Sequence, residues 1–330
     1  MQVLVTGATG FIGGNLARLL VERGYRVRAL VRPGSRTLTI DGTPVETVPG
    51  DILDGDSVRQ AMAGCQAVFH CAAAYTFWAA DPRSIYRTNV AGTATVLEAA
   101  RVAGVSRVVY TSTVSTIGLP SHGLGDEDTQ VTPRYLVGHY KKSKYQAEQL
   151  ALAQAAQGSP VVVVNPTTPV GPWDVRPTPT GGMVLDFLLG RIPAYVGTGM
   201  NLVDVADVAE GHILALEKGQ PGQRYLLGCR NVTLKEMFAM LQGITGKRAP
   251  QFKAPFWLAL AAGYLDNLVE GQLLRREPRI PLEGLKVARQ PMYVTCQKAV
   301  TQLGLPQSPV EPALERAVRW FTDYGYTRGK

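Results

Sequence analysis

Cysteine is scarce in this sequence, with four residues in 330. Cys65, Cys71, Cys229 and Cys296 make no C-x-x-C pair, and none has a histidine at metal-ligand spacing. A disulfide framework and a structural zinc site are therefore excluded, and a reducing compartment is indicated. Charge of one sign is not concentrated either. The net charge is +8, but Lys and Arg are scattered and form no basic run of the kind a nucleic-acid tail requires. An anionic cofactor or substrate accounts for the balance more simply. Long hydrophobic runs are also missing. The most apolar stretch, Pro255–Leu265 (PFWLALAAGYL), is well short of the roughly 20 residues a bilayer demands. It reads as a buried helix, with a membrane-surface helix as the alternative. The strand pattern starts at Gln2 and leaves no room for a signal peptide, so a cytoplasmic protein is expected. No internal repeat or low-complexity segment occurs.

What is present is the composition of a globular protein, 45% hydrophobic and 18% charged. Short apolar runs recur at Val3–Val5, Val27–Val31, Val45–Val48, Ala67–Cys71, Val108–Tyr110 and Val161–Val164. Stretches with helical spacing lie between most of them, at Ile12–Arg23, Ser57–Ala63, Ser84–Ala103 and Tyr140–Gln157. Continuously apolar strands alternating with helices predict a parallel sheet covered on both faces, a Rossmann-type doubly wound α/β domain. After Pro166 the texture changes. PTTPVGPWDVRPTPTGG (166–182) reads as a loop, followed by a helix over Met183–Leu189, a short strand near Asn201–Val205 and further helices from Val208. The expected division is a nucleotide-binding domain over 1–171 and a smaller, mostly helical substrate-binding region over 172–330, some of which could return to the sheet.

VTGATGFIG (5–13) follows the first strand and runs into an amphipathic helix. In that context Gly7 allows a tight turn, Gly10 a close approach of backbone to a pyrophosphate, and Gly13 close packing of helix on strand. Thr9, Phe11 and Ile12 complete the loop, and the helix N-terminus offers its unpaired N–H groups to the phosphates. An acidic residue gripping an NAD ribose should end the second strand. That strand instead ends in Arg32, with Arg36 just beyond. Arginine suits a 2′-phosphate, so NADP(H) is preferred over NAD(H), unless Arg32 is merely a solvated loop charge.

YKKSK (140–144) places Tyr140 and Lys144 one helical turn apart on one face. A neighbouring ammonium lowers a phenol's pKa and lets it exchange protons near neutral pH. YTSTVSTIG ends a strand with Ser112 and Thr113, where a hydroxyl could hold a substrate carbonyl. In this order behind the glycine loop, these residues resemble the extended short-chain dehydrogenase/reductases over the whole chain. The resemblance implies that Tyr140 donates the proton, Lys144 holds the nicotinamide ribose and Thr113 orients the substrate oxygen, with Ser112 the alternative for that last role. It also implies that Asp51 bonds the adenine while Ile52 packs on it, and that Ala72, Ala73 and Ala74 pass the ribose and pyrophosphate. Asn89 would lie near the cofactor, and Pro166 and Thr167 would meet the nicotinamide amide. The bland alternatives are a helix cap for Asp51 and a core hydrogen bond for Asn89.

The nearest resemblance is to dihydroflavonol 4-reductase-like proteins, including a set called hopanoid-associated sugar epimerases. Nucleotide-sugar epimerases of this family tend to carry Arg where this chain has Met200, a role that Arg176 or Arg191 could take instead, and they usually retain NAD. Tyr75, Phe77, Trp78, His139 and Trp173 are expected to frame the substrate entrance and favour a planar or apolar carbonyl compound, unless they simply pack. NADPH-dependent reduction of a ketone or aldehyde is the leading expectation. A sugar epimerase or dehydratase comes second and a non-catalytic NADP sensor third. A monomer or a homodimer is expected, the latter through the helices at Ser84–Ala103 and Tyr140–Gln157, with no nucleic-acid partner.

Overall fold

A computed structural model describes residues 1–328 other than 121, 275, 277 and 279–281. The six runs read as strands form β1 (Gln2–Thr6), β2 (Arg26–Val31), β3 (Glu46–Pro49), β4 (Ala67–His70), β5 (Arg107–Thr111) and β6 (Val161–Pro166). Beyond them come β7 (Thr168–Val170), β8 (Ala194–Tyr195), β9 (Gly199–Asp204), β10 (Arg224–Leu227), β11 (Arg230–Thr233) and β12 (Phe252–Lys253). The helices are α1 (Phe11–Glu22), α2 (Gly55–Met62), α3 (Arg83–Tyr86), α4 (Gly92–Ala103), α5 (Gly138–Ala156) and α6 (Pro179–Leu188). They continue with α7 (Val205–Lys218), α8 (Leu234–Thr245), α9 (Phe256–Asp266), α10 (Leu282–Ala288), α11 (Gln297–Leu303) and α12 (Val310–Asp323).

Seven strands make one parallel sheet in the order β10-β6-β5-β4-β1-β2-β3. β4 and β6 are buried along their length and β1 from Val3 onward, which is why they read as unbroken apolar runs rather than alternating ones. Leu16 and Leu20 of α1 and Ile213 of α7 cover one face with Val5 and Phe69. Val58 of α2, Val96 of α4 and Ala147 of α5 cover the other with Leu4 and Tyr110. The chain leaves β1 in one direction toward β2 and β3, then returns to β4 on the opposite side. That reversal opens a crevice at the carboxyl ends of β1 and β4, where ligands of such sheets bind.

A separate core joins β7, β9 and β11 to α6, α8 and α12 through Leu202, Phe238, Leu314 and Phe321. Two expectations are corrected by this arrangement. The 166–182 segment is not all loop, since it holds β7 and the start of α6, whose N-cap Thr178 accepts from the Gly181 N–H. The region after 172 is mostly helical, and one of its segments returns to the main sheet, where β10 pairs with β6. Four residues, RYLL, are too few to show periodicity. Finally, Pro255–Leu265 gives a helix, α9, but not a buried one: within it only Gly263 is buried.

Candidate functional site

The glycine loop spans the crevice floor. Gly7 has φ +78°, and a Cβ there would stand 2.6 Å from the Ala72 nitrogen. On Gly13 a Cβ would meet the Gly7 carbonyl oxygen at 2.3 Å, so both positions demand glycine for chain-to-chain approach. Gly10 differs: only the Gly7 oxygen, at 3.2 Å, stands near its open face. It is the N-cap of α1 and offers no side chain to the helix's free N–H groups. A phosphate would satisfy those groups. Thr9, Phe11 and Ile12 are half-buried around this turn.

The loop after β4 is fixed from below. His70 bonds the hydroxyls of Thr6 (2.7 Å) and Thr93 (3.0 Å), and burial drives its pKa down to about 3, with the Lys144 charge adding to the shift. The Ala72 N–H donates to Thr6 Oγ1 at 3.3 Å. Asn89 lies in a π-helical turn (Arg87–Ala91) between α3 and α4. Its Oδ1 accepts from the Ala74 N–H at 2.7 Å, and its Nδ2 donates to the Ala74 carbonyl and to Ser143 Oγ. Asn89 thus holds the 72–74 backbone, including the exposed Ala73, in place. Asp51 Oδ1 accepts from the Leu53 N–H, while Asp54, not Asp51, caps α2. Ile52 is buried against Gly92, where a Cβ would lie 2.5 Å from its Cδ1. Arg32 and Arg36 are both exposed just past β2. Thr167 spends its N–H and hydroxyl on the Leu227 carbonyl, beside the buried Pro166.

Tyr140 and Lys144 occupy the first turns of α5, facing the end of β5. Burial pushes the Tyr140 phenol up to about 12, and the nearby Thr113 hydroxyl pulls the other way. The expected lowering by Lys144 does not appear. The lysine side chain reaches across to β5 instead, donating to Tyr110 Oη at 2.9 Å and the Thr111 carbonyl at 2.8 Å. Its ammonium lies 4.6 Å from the Tyr110 ring centroid. Burial pushes Lys144 down to about 8, against the opposing charge of Glu148. Between Thr113 and Ser112, the structure brings Thr113 to the phenol. Ser112 Oγ is buried and has no hydrogen-bond partner among the described residues. That orphaned hydroxyl, the open Gly10 face and the uncapped α1 terminus all fit a bound dinucleotide.

Tyr75 and Phe77 wall the phenol, with ring centroids 4.7 Å and 6.3 Å from that of Tyr140. Beside them opens a cavity of about 290 Å³, lined by Phe77, Trp78, Ile85 and Leu282, with His139, Glu283 and Lys286 as polar members. Tyr86 Oη lies 3.3 Å from His139 Nδ1, and Glu283 of α10 accepts from the His139 N–H. Trp173 is not part of this group. Its ring lies 3.9 Å beneath the Arg18 guanidinium and packs on Trp320 and Tyr324, in the seam between α1 and α12.

One set of positioning groups escaped the sequence reading. Glu148, fully buried, accepts from Thr116 Oγ1 (2.7 Å), Asn165 Nδ2 (2.6 Å) and Arg224 (3.2 Å). Asn165 also donates to the Thr113 carbonyl. The signal was available: Glu148 follows Lys144 by the same four residues that separate Lys144 from Tyr140.

The chain is 48% identical to a dihydroflavonol 4-reductase-like protein of Synechocystis sp., covering 98% of this chain and 95% of that one. It is 34% identical to the sterol demethylase protein B of Methylococcus capsulatus, over 98% and 99% of the two chains. The crystal structure of gox2253 superposes with a TM-score of 0.88 at 41% identity, over 99% of both chains. The family model of the NAD dependent epimerase/dehydratase family matches residues 3–228. The chain belongs to that family and is an NAD(P)-dependent oxidoreductase of the extended short-chain dehydrogenase/reductase type.

Proposed function

We propose that the protein reduces an apolar ketone or aldehyde with NADPH, using Tyr140 as the proton donor. The carrying observation is the buried Tyr140 phenol, which stands close to the Thr113 hydroxyl beneath an aromatic wall and beside a cavity of mixed apolar and polar lining. A nicotinamide dinucleotide bound in the crevice supplies the hydride. Thr113 holds the substrate oxygen next to the phenol, and Tyr140 gives its proton to the alkoxide as it forms. A phenol with a pKa near 12 keeps its proton at neutral pH, yet an alkoxide is a far stronger base and takes it downhill. Lys144 and Ser112 Oγ supply the polar contacts under the nicotinamide ribose. Arg32, exposed at the end of β2, receives the 2′-phosphate.

Transient oxidation of a sugar, as in an epimerase, would start from a phenolate, which burial disfavours here. Met200 supplies no charge for a sugar-nucleotide phosphate. Arg176 and Arg191 do not line the cavity, and Arg191 lies 3.9 Å from Asp186. The reductase name of the Synechocystis relative agrees with this reading. Mass spectrometry of nucleotide released from denatured, purified protein tests it. The proposal expects empty protein that then binds NADPH; stoichiometric, non-exchanging NAD would favour the epimerase.

A further inference from the structure

The helix expected to be buried turns its apolar residues outward. Along α9 and the π-helical segment that continues it (Asn267–Leu273), the exposed positions are 257, 258, 261, 262, 264, 265, 268, 269, 272 and 273. Their spacing marks one helical face. Trp257 (70% exposed), Leu265 (65%) and Leu273 (72%) punctuate it, and the only polar residue on it is Gln272. The carboxylates of the segment, Asp266 and Glu270, are half-buried on the other side. A solvated surface helix has the opposite polarity. The stripe spans roughly 25 Å at 1.5 Å per residue.

We propose that this face docks on a bilayer carrying anionic phospholipids, and that the apolar substrate reaches Tyr140 from there. Charge selects this occupant. A cavity of about 380 Å³ at the start of α9 is lined by Lys253 and Arg289 together with Pro255 and Phe256. Lys286 and Arg276 are exposed on the neighbouring segments. Cations flanking an apolar stripe attract anionic headgroups, whereas a second copy would bring like charges together. Trp257 and Tyr264 suit the headgroup boundary, where one end of a ring is apolar and the other wet. Among the described residues no helix is long and apolar enough to cross a membrane, so the contact lies in the interface plane. The segment touches the cavity beside Tyr140 at Asn267, where α9 passes into the π-helical segment, and Leu282 and Glu283 of α10 line the same cavity. An apolar compound leaving the headgroup region would thus have a short path to the aromatic wall. The docking face stands independently of the reductase reading, while the substrate route rests on it.

Cosedimentation of the full chain with phosphatidylcholine vesicles, with and without phosphatidylglycerol, tests the proposal. The protein is expected to pellet with the anionic vesicles and to be released by high salt. A Trp257→Glu/Leu265→Glu double variant should weaken vesicle binding roughly a hundredfold. It should keep its circular dichroism spectrum and its turnover of a water-soluble ketone. Failure of the wild-type protein to pellet, or pelleting unchanged by the double variant, would overturn the proposal. So would a dimer in analytical ultracentrifugation that the double variant dissociates, since the face would then be a subunit contact. Tyr140→Phe separates the two readings: it should leave vesicle binding intact. Vesicle binding without carbonyl reduction in the wild type would sink the reductase reading and the substrate route while sparing the docking face.

Discussion

At the scale of single residues, Tyr140 and Lys144 differ in how tightly they hold a proton. Tyr140, held up to about 12, is protonated throughout the physiological range, whereas Lys144, held down to about 8, is not charged throughout it. Carbonyl reduction should therefore be flat on the acid side of about pH 8 and fall above it, with the fall belonging to Lys144. A kcat/KM profile against pH checks this, and a decline beginning only near 12 would assign the limb to Tyr140. Arg32 governs cofactor choice. Replacing Arg32 by Ala should raise the Kd for NADPH by about tenfold to a hundredfold, the loss of a charge-assisted pair, and leave that for NADH within about twofold. Fluorescence titration measures both. Gly7, Gly13, Tyr140 and Lys144 were legible in the sequence because backbone approach and helical spacing are local matters. The direction of the Lys144 side chain was not, since its partner Tyr110 lies on another element. Nor was the place of Trp173, whose partners Arg18 and Tyr324 are remote in sequence.

At the scale of elements, β5, β6, β10 and α5 meet at one buried carboxylate. Glu148 ties the turn after β5 to α5 through Thr116 and Asn165, and Arg224 of β10 supplies the countercharge. Glu148→Gln leaves Arg224 without its ionic partner and should cost about 2–4 kcal/mol of stability, measured by denaturant unfolding. Thr113 is bonded through the same group, so kcat should fall more than KM rises. A variant as stable and as active as the wild type would show that the network is passive. Strand and helix alternation made the first six strands readable, because a sheet covered on both faces leaves continuous apolar runs. The outward face of α9 was not readable. Nearly every residue in that stretch is apolar, so periodicity could not say which side faces the protein.

At the scale of the whole molecule, two histidines hold the sheet to its neighbours in neutral form. His70 joins β1 and β4 to α4. His212 of α7 accepts from Thr111 of β5 at 2.9 Å, and its other ring nitrogen lies 2.7 Å from the Val208 carbonyl. Burial lowers their pKa values to about 3 and about 4, from an unfolded value of 6.5. Between those limits the unfolded chain binds more protons. Stability is therefore lost as the pH falls below 6.5, by up to about 1.4 kcal/mol per pH unit for each histidine. Thermal unfolding from pH 7 to pH 4.5 should show that slope, reduced in a His212→Gln variant.

Consumption of NADPH by the purified enzyme, followed at the nicotinamide absorbance with a panel of apolar ketones and aldehydes, distinguishes carbonyl reduction from epimerisation. One NADPH should disappear for each alcohol formed, and Tyr140→Phe should slow turnover by about a hundredfold or more. No NADPH consumption by the wild type, alongside epimerisation of a nucleotide sugar with no net change in a retained NAD, would contradict the reductase reading.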